Sequence, residues 1–302
     1  MSVMSACGEN TSTSFKVVTH ILYKNRGVFL LFIIINDNEH EGMPFKFDDL
    51  HIGMSSPRTH IRSLDTLSSR PYVIINVAMS ADGKLSTRER RQVKISGNDD
   101  FSRVDELKAG CDAIMVGIGT VLADDPSLTI KSDALIRMRR EGNRSSHPVR
   151  IVVDSLARIP SDAKILYKGE GKRIIALSRA ADFSCVEQLK QTAMQCGEDI
   201  EVELIVCGDD QVDLLELFQE LKKRDIHRVM VEGGGTLIMG LLKAGIVDEI
   251  HTYIGNMIIG GKDAPTLADG EGFVLEDEFV QLTLYSLSRM ENGVLLSWYV
   301  DV

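Results

Sequence analysis

From Arg70 onward the chain alternates short β-branched apolar runs with segments of helical periodicity, and this alternation constrains the fold more than any other feature of the sequence. Runs at 72–78, 113–118, 149–154, 173–178, 201–206, 227–232 and 248–254 read as strands. Most lack the polar alternation of a half-exposed strand, as expected where helices cover both sheet faces. Between them lie helices with recognisable ends. Ser96 and Asp99 have capping-box spacing ahead of an apolar stripe of Phe101, Val104 and Leu107, with Gly110 at the exit. The stretch 212–224 carries Leu214, Leu217, Phe218 and Leu221, then closes on Lys222, Lys223 and Arg224, which favour a helix C-terminus. The tail changes period. QLTLYSLSR and VLLSWYV flank Glu291-Asn292-Gly293, and Asn-Gly is a strong hairpin cue. The pattern predicts one α/β domain over 70–302, with a mostly parallel sheet closed by an antiparallel pair.

Composition narrows the function. Hydrophobic residues at 44% and charged residues at 26% fit a soluble globular protein. The chain is long enough to bury a core without disulfides or metal. A net charge of −10 argues against a nucleic-acid partner, whose affinity rests on cations. Five cysteines without a C-x-x-C pair give no zinc or disulfide framework, so no metal is expected and a reducing cytoplasm fits. The longest apolar run, VFLLFIII, is eight residues, against about 20 for a membrane span. Lys24 and Arg26 precede it without a small-residue cleavage site after it, so neither a signal peptide nor a membrane partner is expected.

Residues 1–69 read as an N-terminal extension, poorly ordered or the product of an upstream start codon, with one sticky strand. Four of the seven histidines (His20, His40, His51 and His60) fall here, at spacings that match no ligand motif.

Three loops after strands carry the chemistry. In VEGGGTLIMGLLKAG a strand meets Gly233, Gly234 and Gly235, then a helix opened by Thr236 whose free N–H groups favour an anion. It is not the G-x-G-x-x-G fingerprint, since Ile238 holds the last glycine position. The competing reading is a tight turn that binds nothing. In VGIGTVLADDPSL, Gly117 and Gly119 allow a tight turn, while Asp124 and Asp125 are either ligand contacts or turn formers. In NVAMSADGKLSTRERRQVK, the Asp82-Gly83 turn precedes Lys84, Arg88, Arg90, Arg91 and Lys94, a landing site for phosphate or an ordinary solvated loop. Lys108 and Lys131 flank the second loop and can join that patch. Loops at strand ends are where an open α/β sheet binds ligands.

The stretches NVAMSADGKL, KISG, IMVGIGTVLADDPSLT, PVRIVVDS, VMVEGGGTL, AGIVDEIHTYI and GGKDAPT run through 70–302 in the order of the riboflavin-pathway reductase family, which the chain resembles. The resemblance implies a dihydrofolate-reductase-like three-layer α/β sandwich and a cytoplasmic homodimer. It also implies NADPH-dependent reduction of a ribosylamino-pyrimidine 5′-phosphate by hydride transfer to C1′ of a ring-opened imine. The chain has no deaminase signature and carries the triple glycine with Thr of the stand-alone archaeal type. That points to 2,5-diamino-6-(ribosylamino)-4(3H)-pyrimidinone 5′-phosphate as substrate. Carried over by position, cofactor contacts fall on Ala78, Lys94, Thr120, Asp124, Ser155, Gly234, Gly235, Thr236 and Leu237. Substrate contacts fall on Gln92, Lys108, Leu128, Lys131 and Glu232. Lys108 and Lys131 stand where the bacterial pattern has Arg, which keeps the charge and loses the bidentate fork. On this reading both lysines hold the 5′-phosphate, Glu232 holds the pyrimidine or ribose, and Asp82 handles a proton. NADH is left open, with Ser155 and Arg179 as weak 2′-phosphate candidates. Alternatives are the bacterial-type reaction on the deaminated substrate, a related reductase of another substrate, and a nicotinamide-nucleotide-binding module without turnover.

Overall fold

In the computed structural model the described residues are 69–301 and two further strands, β1 (Phe15–Lys24) and β2 (Gly27–Asn36), which pair antiparallel as a sheet of their own. The order of the remaining N-terminal extension and its histidine side chains lie outside the described residues.

Every strand expected from the apolar runs is present. In chain order the elements are β3 (Tyr72–Ser80), α1 (Asn98–Gly110), β4 (Ala113–Gly117), α2 (Ile118–Asp124), α3 (Asp133–Glu141), β5 (Val149–Val153), α4 (Lys164–Tyr167) and β6 (Gly171–Leu177). There follow α5 (Phe183–Gln195), β7 (Ile200–Val206), α6 (Leu214–Lys223), β8 (Arg228–Gly233), α7 (Gly235–Lys243), β9 (Glu249–Gly255), β10 (Leu282–Met290) and β11 (Gly293–Val300). They build a nine-stranded sheet in the order β10-β11-β9-β3-β8-β4-β5-β6-β7. From β9 to β7 all neighbours are parallel; β11 and β10 run antiparallel at one end.

Helices cover both faces, which is why the strands read as unbroken apolar runs. On one face Leu217, Phe218 and Leu221 of α6, with Leu237, Ile238 and Leu241 of α7, pack on Val73, Ile75, Met115 and Val231. On the other, α2, α4 and α5 cover Ile114, Val116, Val152, Ile175 and Leu177. Val104 and Leu107 of α1 lie over Ile74 and Met230. Fully burying one such side chain contributes about 1.5–3 kcal/mol relative to leaving it in water. The three layers bear out the α/β sandwich. Among the described residues no helix is long and apolar enough to cross a membrane.

Two local expectations need correction. Ser96 does not cap α1; the N-cap is Gly97, without a side-chain cap of its own. The orphan N–H groups of Asn98 and Asp99 instead donate to Glu291 Oε1, at 2.9 and 3.4 Å. A Cβ on Gly97 would stand 1.7 Å from Glu291 Oε2, so a larger residue there would push the capping carboxylate aside. The hairpin turn is also one residue earlier than Asn-Gly suggests. Met290 pairs with Gly293, leaving Glu291 (φ 50°) and Asn292 as the turn. The turn therefore presents Glu291 to α1.

Removing the carboxylate in Glu291→Ala uncaps α1 from the far end of the chain. Urea unfolding should show a loss of about 1 kcal/mol, the usual cost of a lost N-cap acceptor. An unchanged midpoint would show that the contact does not hold the helix.

Candidate active site

The site begins with a parting of strands. β3 and β8 pair only as far as Ile75–Val231. Beyond that point β3 continues beside β9 to Ser80–Gly255. β8 stays with β4, where Met115 pairs Val231 and Val116 pairs Gly233, so Glu232 is an extra residue in a bulge. A cavity of about 1280 Å³ is lined by Asn76, Val77 and Ala78 on one side of this parting and Val116, Gly117 and Glu232 on the other. A drug-sized ligand occupies a pocket of roughly 300–1,000 Å³, so there is room for two partners.

Glycines make the floor. Gly233 has φ 134°, a conformation other residues avoid, and the Gly233–Gly234 peptide is cis. A Cβ on Gly234 would stand 3.3 Å from Thr120 Oγ1, and one on Gly235 would stand 2.6 Å from Asp269 Oδ2. α7 begins at Gly235 without a side-chain cap, so its first N–H groups remain for a ligand. This backbone cradle fits a nucleotide's phosphates.

The residues expected to contact a cofactor come together here. Ala78, Lys94, Thr120, Asp124 and Ser155 line the cavity with the 234–237 turn of Gly234, Gly235, Thr236 and Leu237. The adjacent aspartates split their work. Asp125 sits at φ 43°, accepts Lys164 N at 2.7 Å and pairs with Lys164 Nζ at 3.1 Å; those contacts hold its carboxyl below the ordinary range. Asp124 lines the cavity, and burial pushes its carboxyl up. Ser155 Oγ accepts Val212 N at 3.1 Å, and Lys94 Nζ lies 5.5 Å from the centroid of the Phe101 ring.

On the substrate side the structure separates residues that the sequence reading grouped. Gln92, Leu128 and Glu232 line the cavity; Lys108 and Lys131 do not. Lys108 Nζ is held 2.8 Å from Glu232 Oε1, so it meets the cavity through that carboxylate. Lys131 Nζ donates to Thr129 Oγ1 at 2.8 Å and Ser127 Oγ at 3.1 Å, beside Leu128 at φ 52°. Asp82 lies outside the lining. It accepts Ser80 Oγ at 2.6 Å, Ile259 N at 3.1 Å and Gly260 N at 2.7 Å, and these donors hold its pKa at about 2. Such a carboxylate ties two loops together and stays ionised, which opposes the proton-handling role expected of it.

Of the basic cluster only Arg90 and Lys94 line the cavity. Lys84 donates to Ala264 O, and Arg91 pairs with Glu89. Arg179 pairs with exposed Asp209 and is not part of the cavity lining. Two polar lining residues that sequence reasoning did not single out stand next to the expected ones. Asn76 is a lone amide inside the apolar run of β3, its Oδ1 accepting Arg103 Nη2 at 2.7 Å; a buried polar residue in such a run was the available signal. Arg158 follows β5, its Nε 3.4 Å from Asp154 Oδ1. Among the described residues no group of three His, Cys, Asp or Glu could hold a metal.

Residues 71–296 match the family model for the RibD C-terminal domain. The chain is 46% identical over 205 residues to the 2,5-diamino-6-ribosylamino-4(3H)-pyrimidinone 5′-phosphate reductase of Archaeoglobus fulgidus, covering 68% of this chain and 89% of that protein. It is 43% identical to the protein of the same name from Methanothermobacter thermautotrophicus, covering 76% and 99%. A pyrimidine reductase-like protein from Corynebacterium diphtheriae shares the fold, with a TM-score of 0.65, 20% identity and coverage of 78% and 94%. Fold, cavity and relatives together define an α/β reductase. The chain belongs to the RibD C-terminal domain family.

The 127–132 segment is braced from behind by buried His147, whose Nδ1 accepts Ile130 N at 3.3 Å. Burial, then nearby Arg150, lowers its pKa from 6.5 to about 4. Between those values the unfolded chain binds a proton that the folded one refuses. Stability is therefore full above pH 6.5 and falls as pH drops toward 4. Urea midpoints measured across that window should show a smaller decline in His147→Gln than in the parent; equal declines would remove His147 as the cause.

Proposed function

We propose that this reductase uses NADPH to convert 2,5-diamino-6-(ribosylamino)-4(3H)-pyrimidinone 5′-phosphate to its ribitylamino product in riboflavin biosynthesis. The observation that carries the reading is the cavity in the β3–β8 parting. The glycine cradle opens onto it, and the adjoining Glu232, paired with Lys108, lines it, in a chain 46% identical to a protein bearing that name. When bound, NADPH supplies a hydride to C1′ of the ring-opened imine. The chain's part is positioning. The 234–237 turn and Thr120 receive the pyrophosphate, and Asp124 and Ser155 receive the sugar side. Glu232, fixed by Lys108, orients the pyrimidine or ribose. Lys131 holds the 5′-phosphate with Ser127 and Thr129.

Preference for NADPH over NADH is supported by Arg158, an exposed guanidinium on the cavity wall next to Ser155. Arg158→Ala should raise KM for NADPH about tenfold, as for one lost charge-assisted contact, and leave KM for NADH unchanged. Equal effects on both cofactors would remove the 2′-phosphate role.

The deciding measurement is NADPH oxidation with the diamino substrate and its deaminated counterpart side by side. Faster turnover of the diamino compound is expected; preference for the other would move the enzyme to the bacterial reaction order. Lys131→Ala should raise substrate KM far more than it lowers kcat, because phosphate binding is largely uniform binding. The reading includes a cytoplasmic homodimer, as the resemblance implies, which sedimentation equilibrium tests.

A further inference from the structure

We infer that Asp105 is the positioning residue for Lys131, and so sets the enzyme's affinity for the phosphate group of its substrate; this rests on the phosphate role proposed for Lys131. Asp105 lies on α1, one turn before Lys108, and three-residue spacing puts the two on the same helix face. Lys108 serves Glu232, whereas Asp105 reaches the 127–132 segment. Its Oδ1 accepts Lys131 N at 2.9 Å, and its Oδ2 accepts Ser132 N at 2.7 Å. One carboxylate thus holds two successive backbone N–H groups at the point where the chain enters α3, whose N-cap is Ser132.

The consequence falls on the lysine between. Lys131 Nζ bends back to Thr129 Oγ1 and Ser127 Oγ, and those two hydroxyls lie 3.0 Å apart. Among the described residues no carboxylate stands within ion-pair distance of this ammonium. An ammonium and two hydroxyls within mutual reach make a donor set for a phosphate oxygen. The set keeps its shape only while its backbone is fixed. His147 holds Ile130 N from one side, and Asp105 holds Lys131 N and Ser132 N from the other. Asp105 touches neither the ammonium nor the hydroxyls, so it acts through the backbone alone.

The test is steady-state kinetics of Asp105→Ala, Lys131→Ala and the double variant, with the phosphorylated substrate and with the same nucleoside lacking its 5′-phosphate. Asp105→Ala should raise KM for the phosphorylated substrate about tenfold, the scale of losing one charge-assisted hydrogen bond. KM for NADPH and kcat should stay within about twofold, a change too small to register as a lost contact. Rates on the nucleoside should not change, and the double variant should match Lys131→Ala alone, because a positioning effect vanishes with the group positioned. Asp105→Asn, which keeps one acceptor and the shape, should show a smaller rise in the same direction and serves if the alanine variant does not fold. Additive effects in the double variant, or an equal rise in KM for NADPH, would overturn the inference. If Lys131→Ala raises substrate KM and neither Asp105 variant does, Asp105 falls while the phosphate site stands. If Lys131→Ala itself changes nothing, the phosphate reading falls and takes this inference with it.

Discussion

The cavity exists because two neighbouring strands of a continuous sheet stop pairing partway along their length. Past Ile75 and Val231, β3 stays paired with β9 and β8 with β4, so each strand keeps its outer ladder while the edges that face each other open onto the cavity. The Glu232 bulge and the left-handed turn at Gly233 divert β8 at the same point. Everything proposed for catalysis hangs from this divergence: the cradle below it, the carboxylate at its rim and the amide of Asn76 in its wall. Arg103 occupies the oxygen of that amide, and Asp100 in turn holds Arg103.

Polar order on the substrate side comes largely from one helix. α1 presents Arg103 to Asn76, Asp105 to the Lys131 backbone and Lys108 to Glu232. Its apolar residues Val104 and Leu107 seat it on the sheet. A single element thus fixes three groups relative to one another. Small displacements there should be shared by all of them, rather than by the nucleotide cradle across the cavity.

The parallel core was legible because strands buried on both faces leave a one-dimensional signature, and the turn after β8 was legible because Gly233 holds a left-handed φ that other residues avoid. Thr120, Asp124 and Ser155 lie on the cavity wall. What could not be read were contacts between residues distant in sequence. Nothing local marks Glu291 as the cap of a helix 193 residues earlier, and Ser96 offered a plausible cap nearby. Likewise Lys108 and Lys131 look equivalent as isolated cations. Only the fold shows that one meets a carboxylate and the other two hydroxyls. Asp82 was placed correctly in its turn, but the donors that hold its carboxylate come partly from Ile259 and Gly260, far along the chain.

The Glu291 cap also orders events in time. A ribosome releases α1 long before it releases the hairpin that completes it, so the nascent helix waits with open N–H groups and an unfastened glycine at its start. The nucleotide cradle draws on β4, Thr120, β8, α7 and Asp269, all made earlier than the hairpin. The helix that carries Arg103, Asp105 and Lys108 therefore receives its cap from one of the last pieces of the chain to be made.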